Sequence, residues 1–370
     1  MKFLDLFAGI GGFRLGMEAA GHECVGFCEI DKFARKSYKA IHDTKGEIEL
    51  HDITAVSDDT VRGIGRVDAI CGGFPCQAFS IAGKRQGFED TRGTLFFEIA
   101  RFASILRPRL LFLENVKGLL NHDGGNTFET IIAALDDLGY DAEWQVLNSK
   151  NFGVPQNRER VFIVGHLRGE RTRGVFPFGS SGEEVDIQNE QSTNTITARY
   201  GAAQSNGSYI IESEQKELKL AKMHDGEQKP EIIQRGHGYN QGNKHKTAPT
   251  LTSNSYHENN FLKVSEATTQ GYAEAKIGDS VNLAHPNSKT RRGRVGKGQA
   301  NTLLTGESQG VVTPDFRIRK LTPRECWRLQ GFPDWAFDKA QEVNSNSQLY
   351  KQAGNSVTVN VIAAIAKELK

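Results

Sequence analysis

Lys2-Phe3-Leu4-Asp5-Leu6-Phe7-Ala8-Gly9-Ile10-Gly11-Gly12-Phe13 reads as an apolar strand, a glycine-rich turn and the start of a helix. The helix is expected from about Phe13 to Ala20, and a second strand, Cys24 to Cys28, then runs into Glu29-Ile30-Asp31. Further buried-strand candidates are Val67–Cys71, Arg109–Leu113 and Val161–Val164, with helices expected over about Leu95–Leu106 and Phe128–Leu138. Short apolar runs alternating with amphipathic segments predict a parallel, doubly wound α/β sheet that binds ligands at the carboxyl ends of its strands. The first turn lacks the GxGxxG spacing of a dinucleotide cradle, which argues against a nicotinamide oxidoreductase. A carboxylate at the end of the second strand, Glu29, can accept the hydroxyls of a ribose, so the turn and Glu29 together read as a nucleoside site.

The chain has 370 residues, 38% hydrophobic and 25% charged, as expected of a soluble enzyme of one large or two smaller domains. No apolar run is long enough to span a bilayer, and the N-terminal stretch lacks a signal-peptide pattern. The five cysteines (Cys24, Cys28, Cys71, Cys76, Cys326) form no CxxC pair, so neither a disulfide framework nor a zinc site is expected. A cytoplasmic setting and a free Cys76 thiol follow as expectations. The net charge of +1 is unevenly spread: residues 151–330 hold 25 Lys+Arg against 19 Asp+Glu, a balance of +6, and the remainder is at −5. A later segment facing a polyanion accounts for this, and so does chance scatter over two solvated surfaces.

Two further stretches carry chemistry. Gly72-Gly73-Phe74-Pro75-Cys76-Gln77 follows one strand, and Leu111-Phe112-Leu113-Glu114-Asn115-Val116 forms the end of the next. A cysteine on a rigid Pro-Cys turn is a soft nucleophile, and a nearby carboxyl group can share a proton with a ring nitrogen, which together can attack a pyrimidine. A buried structural cysteine or a helix-capping acid explains either piece alone, but not the two in this order and spacing.

With these motifs the chain resembles the C5-cytosine DNA methyltransferases of bacteria and phages. Asp5–Phe13 resembles the cofactor loop, Gly72–Ser80 the nucleophile loop, and Glu114-Asn115-Val116 the acid; Gln156-Asn157-Arg158-Glu159-Arg160 resembles the Gln-x-Arg-x-Arg motif. Leu321–Pro333 and Gln352–Val357 resemble the two C-terminal motifs, and all six occur in the family's order. The resemblance implies a Rossmann-like S-adenosylmethionine-dependent sheet, formed by 1–168 and completed by 340–370. A smaller β-rich target-recognition domain is expected over 169–339. It implies Cys76 as nucleophile, Glu114 as the acid on N3, Arg160 on O2, Arg158 as a brace for the nucleophile or a phosphate, and Asn355 as a support for the Cys76 loop. S-adenosylmethionine is expected against Asp5, Phe7, Ala8, Gly9, Gly11, Gly12 and Phe13, the last on the adenine or sulfonium side. Glu29 and Ile30 are expected at the ribose, Asp52 on adenine N6 beside Ile53, and Pro75, Asn355, Ser356 and Val357 close the pocket. No metal is implied.

From about Gly169 to Thr313 the composition shifts to Gly, Ser, Asn, Gln and Thr, with short β-like runs. Three Thr-Ile/Leu units, Asn194–Thr197, Pro249–Thr252 and Asn301–Leu304, recur at intervals of 55 and 52 residues. Each is followed by an apolar pair or triplet: Tyr209–Ile211, Phe261-Leu262 and Val311-Val312. They read as one repeated hairpin-like unit or as generic strand composition. DNA contacts are expected from a loop closing over the site (Gln77, Ser80, Lys84, Arg85) and from Arg235, Arg291, Arg292, Arg294, Lys297, Gln299 and Thr302. The partner expected is duplex DNA, bound by a monomer, with a cognate restriction endonuclease acting separately. Alternatives are a transfer-RNA cytosine methyltransferase, which the long middle region disfavours, and a catalytically idle DNA-binding regulator, which has no use for Cys76, Glu114, Arg160 and Asn355.

Overall fold

Alternation of side chains along each strand builds two apolar faces on one sheet. On one side Leu4, Leu6, Ile70, Leu111, Leu113, Val161 and Ile163 pack with Phe96, Ile99, Phe102, Ile131 and Leu135. On the other, Phe3, Ala69, Cys71, Leu110, Phe112, Phe162 and Val164 pack with Phe13, Met17, Val361, Ile362 and Ile365. A strand covered on both faces must be apolar at every position, which is why these runs are continuous rather than alternating.

The computed structural model describes residues 1–75, 95–178, 231–237, 240–245, 260–284, 290–306, 308–314 and 317–369, with backbone alone at 231–237, 240–245 and 260. Cys76, Gln77, Ser80, Lys84 and Arg85, the closing loop, and the repeat copies at Asn194–Ile211 and Pro249–Thr252 lie outside the described residues. Two units are distinguished: Met1–Ile187 with Leu304–Gly306 and Thr322–Lys370, and Gln188–Leu303 with Glu307–Leu321.

The first unit contains β1 (Lys2–Leu6), α1 (Gly12–Ala19), β2 (Glu23–Cys28), α2 (Lys32–Ile41), β3 (Ile48–Leu50), α3 (Asp58–Gly63) and β4 (Ala69–Gly73). It continues with α4 (Leu95–Leu106), β5 (Leu110–Val116), α5 (Asn126–Asp137), β6 (Tyr140–Asn148) and β7 (Glu159–Leu167). Four helices follow the second unit: α6 (Pro323–Leu329), α7 (Asp334–Val343), α8 (Asn346–Asn355) and α9 (Val359–Glu368). The sheet order is β3-β2-β1-β4-β5-β7-β6. The first five strands are parallel, as expected, but β7 is antiparallel to both β5 and β6. Only residues 149–158 separate β6 from β7, too few for the crossover a parallel pair needs.

The Arg319–Pro333 block was expected to fall within a second domain spanning 169–339. Instead everything from Thr322 onward belongs to the first unit. Trp327 is fully buried and its indole N–H donates to the Leu349 carbonyl at 3.0 Å; the Gln330 amide donates to the Ala353 carbonyl at 2.8 Å. These bonds join α6 to α8, so the boundary falls at Leu321. The last helix begins at Val359, because α8 runs through Asn355 before a short turn.

The second unit has two antiparallel sheets. One, β11-β10-β8-β9, comprises β8 (Glu231–His237), β9 (Asn240–His245), β10 (Asn260–Ser265) and β11 (Tyr272–Ala275). The other, β13-β12-β14-β15, comprises β12 (Ser280–Asn282), β13 (Val295–Gly296), β14 (Gln309–Val312) and β15 (Ile318–Lys320). Leu262, Val264, Ala275, Val281 and Val312 form their shared core. Of the units read as a repeat or as generic strand composition, the described parts place Phe261-Leu262 in β10 and Val311-Val312 in β14, in different sheets, and Asn301–Leu304 in no strand.

Thr322 caps α6 in a reciprocal box, its hydroxyl accepting from the Glu325 N–H while the Glu325 carboxylate accepts from the Thr322 N–H at 2.7 Å. Thr322→Ala should cost about 1 kcal/mol of stability, and Thr322→Ser almost none. Urea unfolding monitored by Trp327 fluorescence measures both.

Candidate active site

The carboxyl ends of β1, β2, β4 and β5 lie side by side, and the residues following them form the site. After β1 the backbone enters the left-handed region at Phe7 (φ 54°), Gly9 (φ 57°) and Gly11 (φ 86°), and the Ala8 N–H donates to the Cys28 carbonyl at 3.0 Å. Gly11 needs its missing side chain twice over, since its φ is positive and a Cβ would lie 2.0 Å from His42 Nε2. At Gly12 a Cβ would come within 2.9 Å of both Val357 and the Ser356 hydroxyl, so the turn before α9 lies directly against the start of α1.

Glu29 is held over this loop. One of its carboxylate oxygens accepts from the Gly9 N–H at 2.8 Å and the other from the Asp31 N–H at 2.7 Å. Burial raises its carboxyl above the ordinary range, and the two backbone bonds oppose that shift. Each oxygen retains a lone-pair direction for a further donor. Ile30, next to it, is 67% exposed, and a Cβ on Gly9 would meet nothing within 4 Å. The open space above Gly9, an anchored carboxylate and an exposed apolar side chain fit a nucleoside-bearing cofactor such as S-adenosylmethionine. Phe7 is half-buried at this loop and Ala8 is buried beneath it. Asp52 caps the 3₁₀ turn Ile53–Ala55, one oxygen accepting from the Thr54 N–H and hydroxyl, while Ile53 is in the core.

Two of the residues expected at the cofactor are buried. Asp5 is wholly buried, and its carboxylate accepts from the Tyr38 hydroxyl at 3.2 Å on the α2 side of the sheet. Burial pushes its carboxyl well above the usual range, against the pull of Arg14 and Tyr38. Phe13 is also buried, edge-on to Phe112 with ring centroids 5.1 Å apart. Sequence reading also missed what supports the loop from below. Phe27 stacks on Tyr38 at 4.2 Å, and His42 lies against Tyr38 at 4.7 Å and under Gly11. Burial, reinforced by Arg14, lowers the His42 pKa to about 3, so the ring stays neutral. Only the helical spacing of Tyr38 and His42 in the sequence could have signalled this stack.

The chemistry expected at β5 has a definite frame. Glu114 is 8% exposed, and its Oε1 lies 3.0 Å from Arg160 Nε. Pairing of Glu114 with Phe162 and of Val116 with Arg160 across antiparallel β5 and β7 brings the two side chains together. Burial raises the Glu114 carboxyl, while Arg160 and Arg158 pull it down. Beside it the Asn115 amide donates to the Phe74 carbonyl at 2.8 Å, and its oxygen accepts from the Val116 N–H. This bond clamps the backbone two residues before position 76, next to exposed Pro75.

Arg158 does not brace a phosphate: it is 3% exposed, and its Nη2 donates to the Gly354 and Ser356 carbonyls at 3.2 and 2.8 Å. Burial, and secondarily Arg160, lowers its pKa to about 9, with Glu114 opposing. Asn355 lies between those two carbonyls and is exposed, while Ser356 and Val357 are buried against Gly12.

In the second unit the expected DNA contacts divide. Arg294 is buried and cannot read a base: its guanidinium donates to the Ser265 and Asn282 carbonyls. Lys297 is engaged with the Glu274 carbonyl and Asp279, and the Gln299 carbonyl accepts from the Ser280 hydroxyl at 2.6 Å. Thr302 is half-buried, Arg291 is half-buried with Nη1 3.5 Å from the Ala284 carbonyl, and Arg292 is exposed. Arg235 stands in β8 opposite Gly242. Among the described residues no three His, Cys, Asp or Glu side chains are placed to hold a metal, and no helix is long and apolar enough to cross a membrane.

Comparison with known proteins agrees with this geometry. The sequence is 34% identical over 434 residues to the orphan methyltransferase M.SPRI of Bacillus phage SPR, covering 100% of this chain and 97% of the relative. It is 37% identical over 376 residues to the type II methyltransferase M.HpaII of Haemophilus parainfluenzae, covering 99% and 88%. The S. pombe Dnmt2 methyltransferase shares the fold, with a TM-score of 0.54 at 16% identity over 98% and 96% of the two chains. The family described as C-5 cytosine-specific DNA methylase matches residues 1–370. The chain therefore belongs to the C-5 cytosine-specific DNA methylase family and is a DNA cytosine-5 methyltransferase.

Proposed function

We propose that the enzyme methylates cytosine within a specific duplex sequence by flipping the base into the Glu114 site and attacking it covalently with Cys76. The buried Glu114–Arg160 pair, with Asn115 clamping the strand that leads into Pro75, is the observation that supports this reading most. Carbon 5 of cytosine is a weak nucleophile inside an aromatic ring. Addition of the Cys76 thiolate at C6 breaks the aromaticity and gives an enamine at C5. Protonated Glu114 donates to N3, and Arg160, freed from the carboxylate as that proton arrives, faces O2 and balances charge there. When bound, S-adenosylmethionine supplies the methyl group that C5 takes up. A water then takes the C5 proton, the C6–S bond breaks to release the Cys76 thiolate, and the N3 proton returns to Glu114, which restores the ring. The target carbon is inaccessible within a duplex, so the base must leave the stack.

For the cofactor, Glu29 receives the ribose hydroxyls, Phe7 and Ile30 flank the adenine, and the space over Gly9 takes the chain. Asp52 keeps one carboxylate oxygen for the adenine amine. The second unit reads the sequence. The methyl mark protects the DNA of a host or phage against an endonuclease that acts separately, as the type II and orphan names of the relatives fit.

Cys76→Ala should abolish methyl transfer while leaving cofactor and DNA binding, measured by calorimetry and gel shift. Substantial turnover in this variant would defeat the covalent route. DNA carrying 5-fluorocytosine should trap a denaturation-resistant adduct only with cofactor present, since fluorine cannot leave C5 as a cation.

Glu29→Ala should weaken S-adenosylmethionine binding by roughly 1–3 kcal/mol. Glu29→Gln, which can still accept from Gly9 or Asp31, should cost less; unchanged titration heats in Glu29→Ala would move the ribose contact elsewhere.

The raised carboxyl of Glu114 also sets a pH dependence. Its proton is retained below the raised pKa and lost above it, so the N3 donor disappears as pH rises, giving kcat/KM an alkaline limb. Glu114→Gln should lower kcat by about 10²- to 10⁴-fold and erase that limb in a pH–rate series, because an amide does not titrate.

A further inference from the structure

Among the described residues, the chain on either side of Arg292 is fastened by several bonds. Both oxygens of Glu266, just past β10, accept backbone N–H bonds from it, Oε1 from Gly293 at 2.5 Å and Oε2 from Arg294 at 3.2 Å. The Ala267 N–H donates to the Arg291 carbonyl at 2.8 Å, and the Asn282 N–H to the Arg294 carbonyl at 2.8 Å. The Arg294 guanidinium turns inward and ties the Ser265 carbonyl of β10 to the Asn282 carbonyl of β12, so it bridges the two sheets. Lys297 and Gly298 are held by Asp279. Gly293, at φ 66°, makes the sharp turn that leaves Arg292 at the tip, exposed and without a bonding partner among the described residues.

A surface built only to attract phosphate would not place a carboxylate at the root of a basic loop, nor bury one of its arginines. We propose that Arg292 is the specificity-determining cation of the second unit, and that Glu266 is the positioning residue that aims it at one base of the target. This rests on the reading that the second unit meets the duplex. A guanidinium pairs with both O6 and N7 of guanine only if it approaches in one plane. A backbone fastened on both sides of Arg292 supplies that approach in advance, so less ordering is lost on binding. Glu266 does this without repelling the duplex, because both of its oxygens are already engaged by N–H groups and the Arg294 side chain lies beside it.

The test uses the full-length enzyme and an unmethylated plasmid library with a randomised insert, with methylation mapped by bisulfite sequencing. Arg292→Ala and Arg292→Lys should each relax the preference at a single target position by about 10- to 100-fold, since lysine keeps the charge but not the paired donors. Glu266→Ala should relax the same position, and Glu266→Gln, with one acceptor left, should fall between it and the wild type. A uniform loss over all inserts in Arg292→Ala, rescued by Arg292→Lys, would make Arg292 a phosphate contact and overturn the proposal. Relaxation in Arg292→Ala with an unaltered motif in both Glu266 variants, each shown folded by circular dichroism, would overturn the role of Glu266. Variants of the unit-two surface cations that all kept full discrimination at every target position would instead bring down the reading that this unit meets DNA.

Discussion

One buried guanidinium joins parts of the catalytic unit that are distant in sequence. Arg158 sits at the start of β7 and donates to the carbonyls on either side of Asn355, nearly two hundred residues later. An unpaired charge in such a place is costly, and so is an unpaired buried carbonyl, and these bonds relieve both. The consequence reaches the cofactor loop. The carbonyls that Arg158 grips belong to the turn whose next residues, Ser356 and Val357, press on Gly12. Gln330, Thr358 and Ser149 extend the same bonding under the turn. The turn before α9 is thus held against the start of α1.

Glu114 occupies a balance between burial and its neighbours. Removal from water favours the neutral acid, while two arginines favour the anion. A carboxyl balanced in this way is sensitive to the loss of either arginine partner. On the other side of the loop, the His42 ring and the buried Asp5 carboxyl support Gly11 and Tyr38 from below; burial keeps the His42 ring neutral and raises the Asp5 carboxyl.

The second unit shows why charge counting is a weak guide to a nucleic-acid surface. Of the cations clustered between Arg291 and Lys297, one bridges two sheets and another is bonded to Asp279 and the Glu274 carbonyl. Arg291 lies half-buried near the Ala284 carbonyl, which leaves Arg292 exposed at the tip. An arginine satisfies buried carbonyls as readily as it meets phosphate, because its five donors suit both.

Much of the architecture was legible in the residues. Continuous apolar runs such as Leu110–Leu113 specify strands buried on both faces, and Thr322-Pro323 with Glu325 specifies a helix start, because these are local matters of burial period and capping. The motif order around Cys76, Glu114 and Gln156–Arg160 placed the family before any geometry was known. The direction of β7 was not legible, since a strand reads the same either way and only the short link from β6 forbids the crossover. Nor were the inward turns of Asp5, Phe13, Arg158 and Arg294, because polar or aromatic letters in a motif do not tell which side of the backbone faces the ligand. That depends on long-range partners, Tyr38, Phe112, Ser356 and Asn282, which only the folded chain brings within bonding distance. The sequence by itself determined the chemistry available and its order along the chain; the tertiary structure decided which of those groups reach the pocket and which hold it in shape.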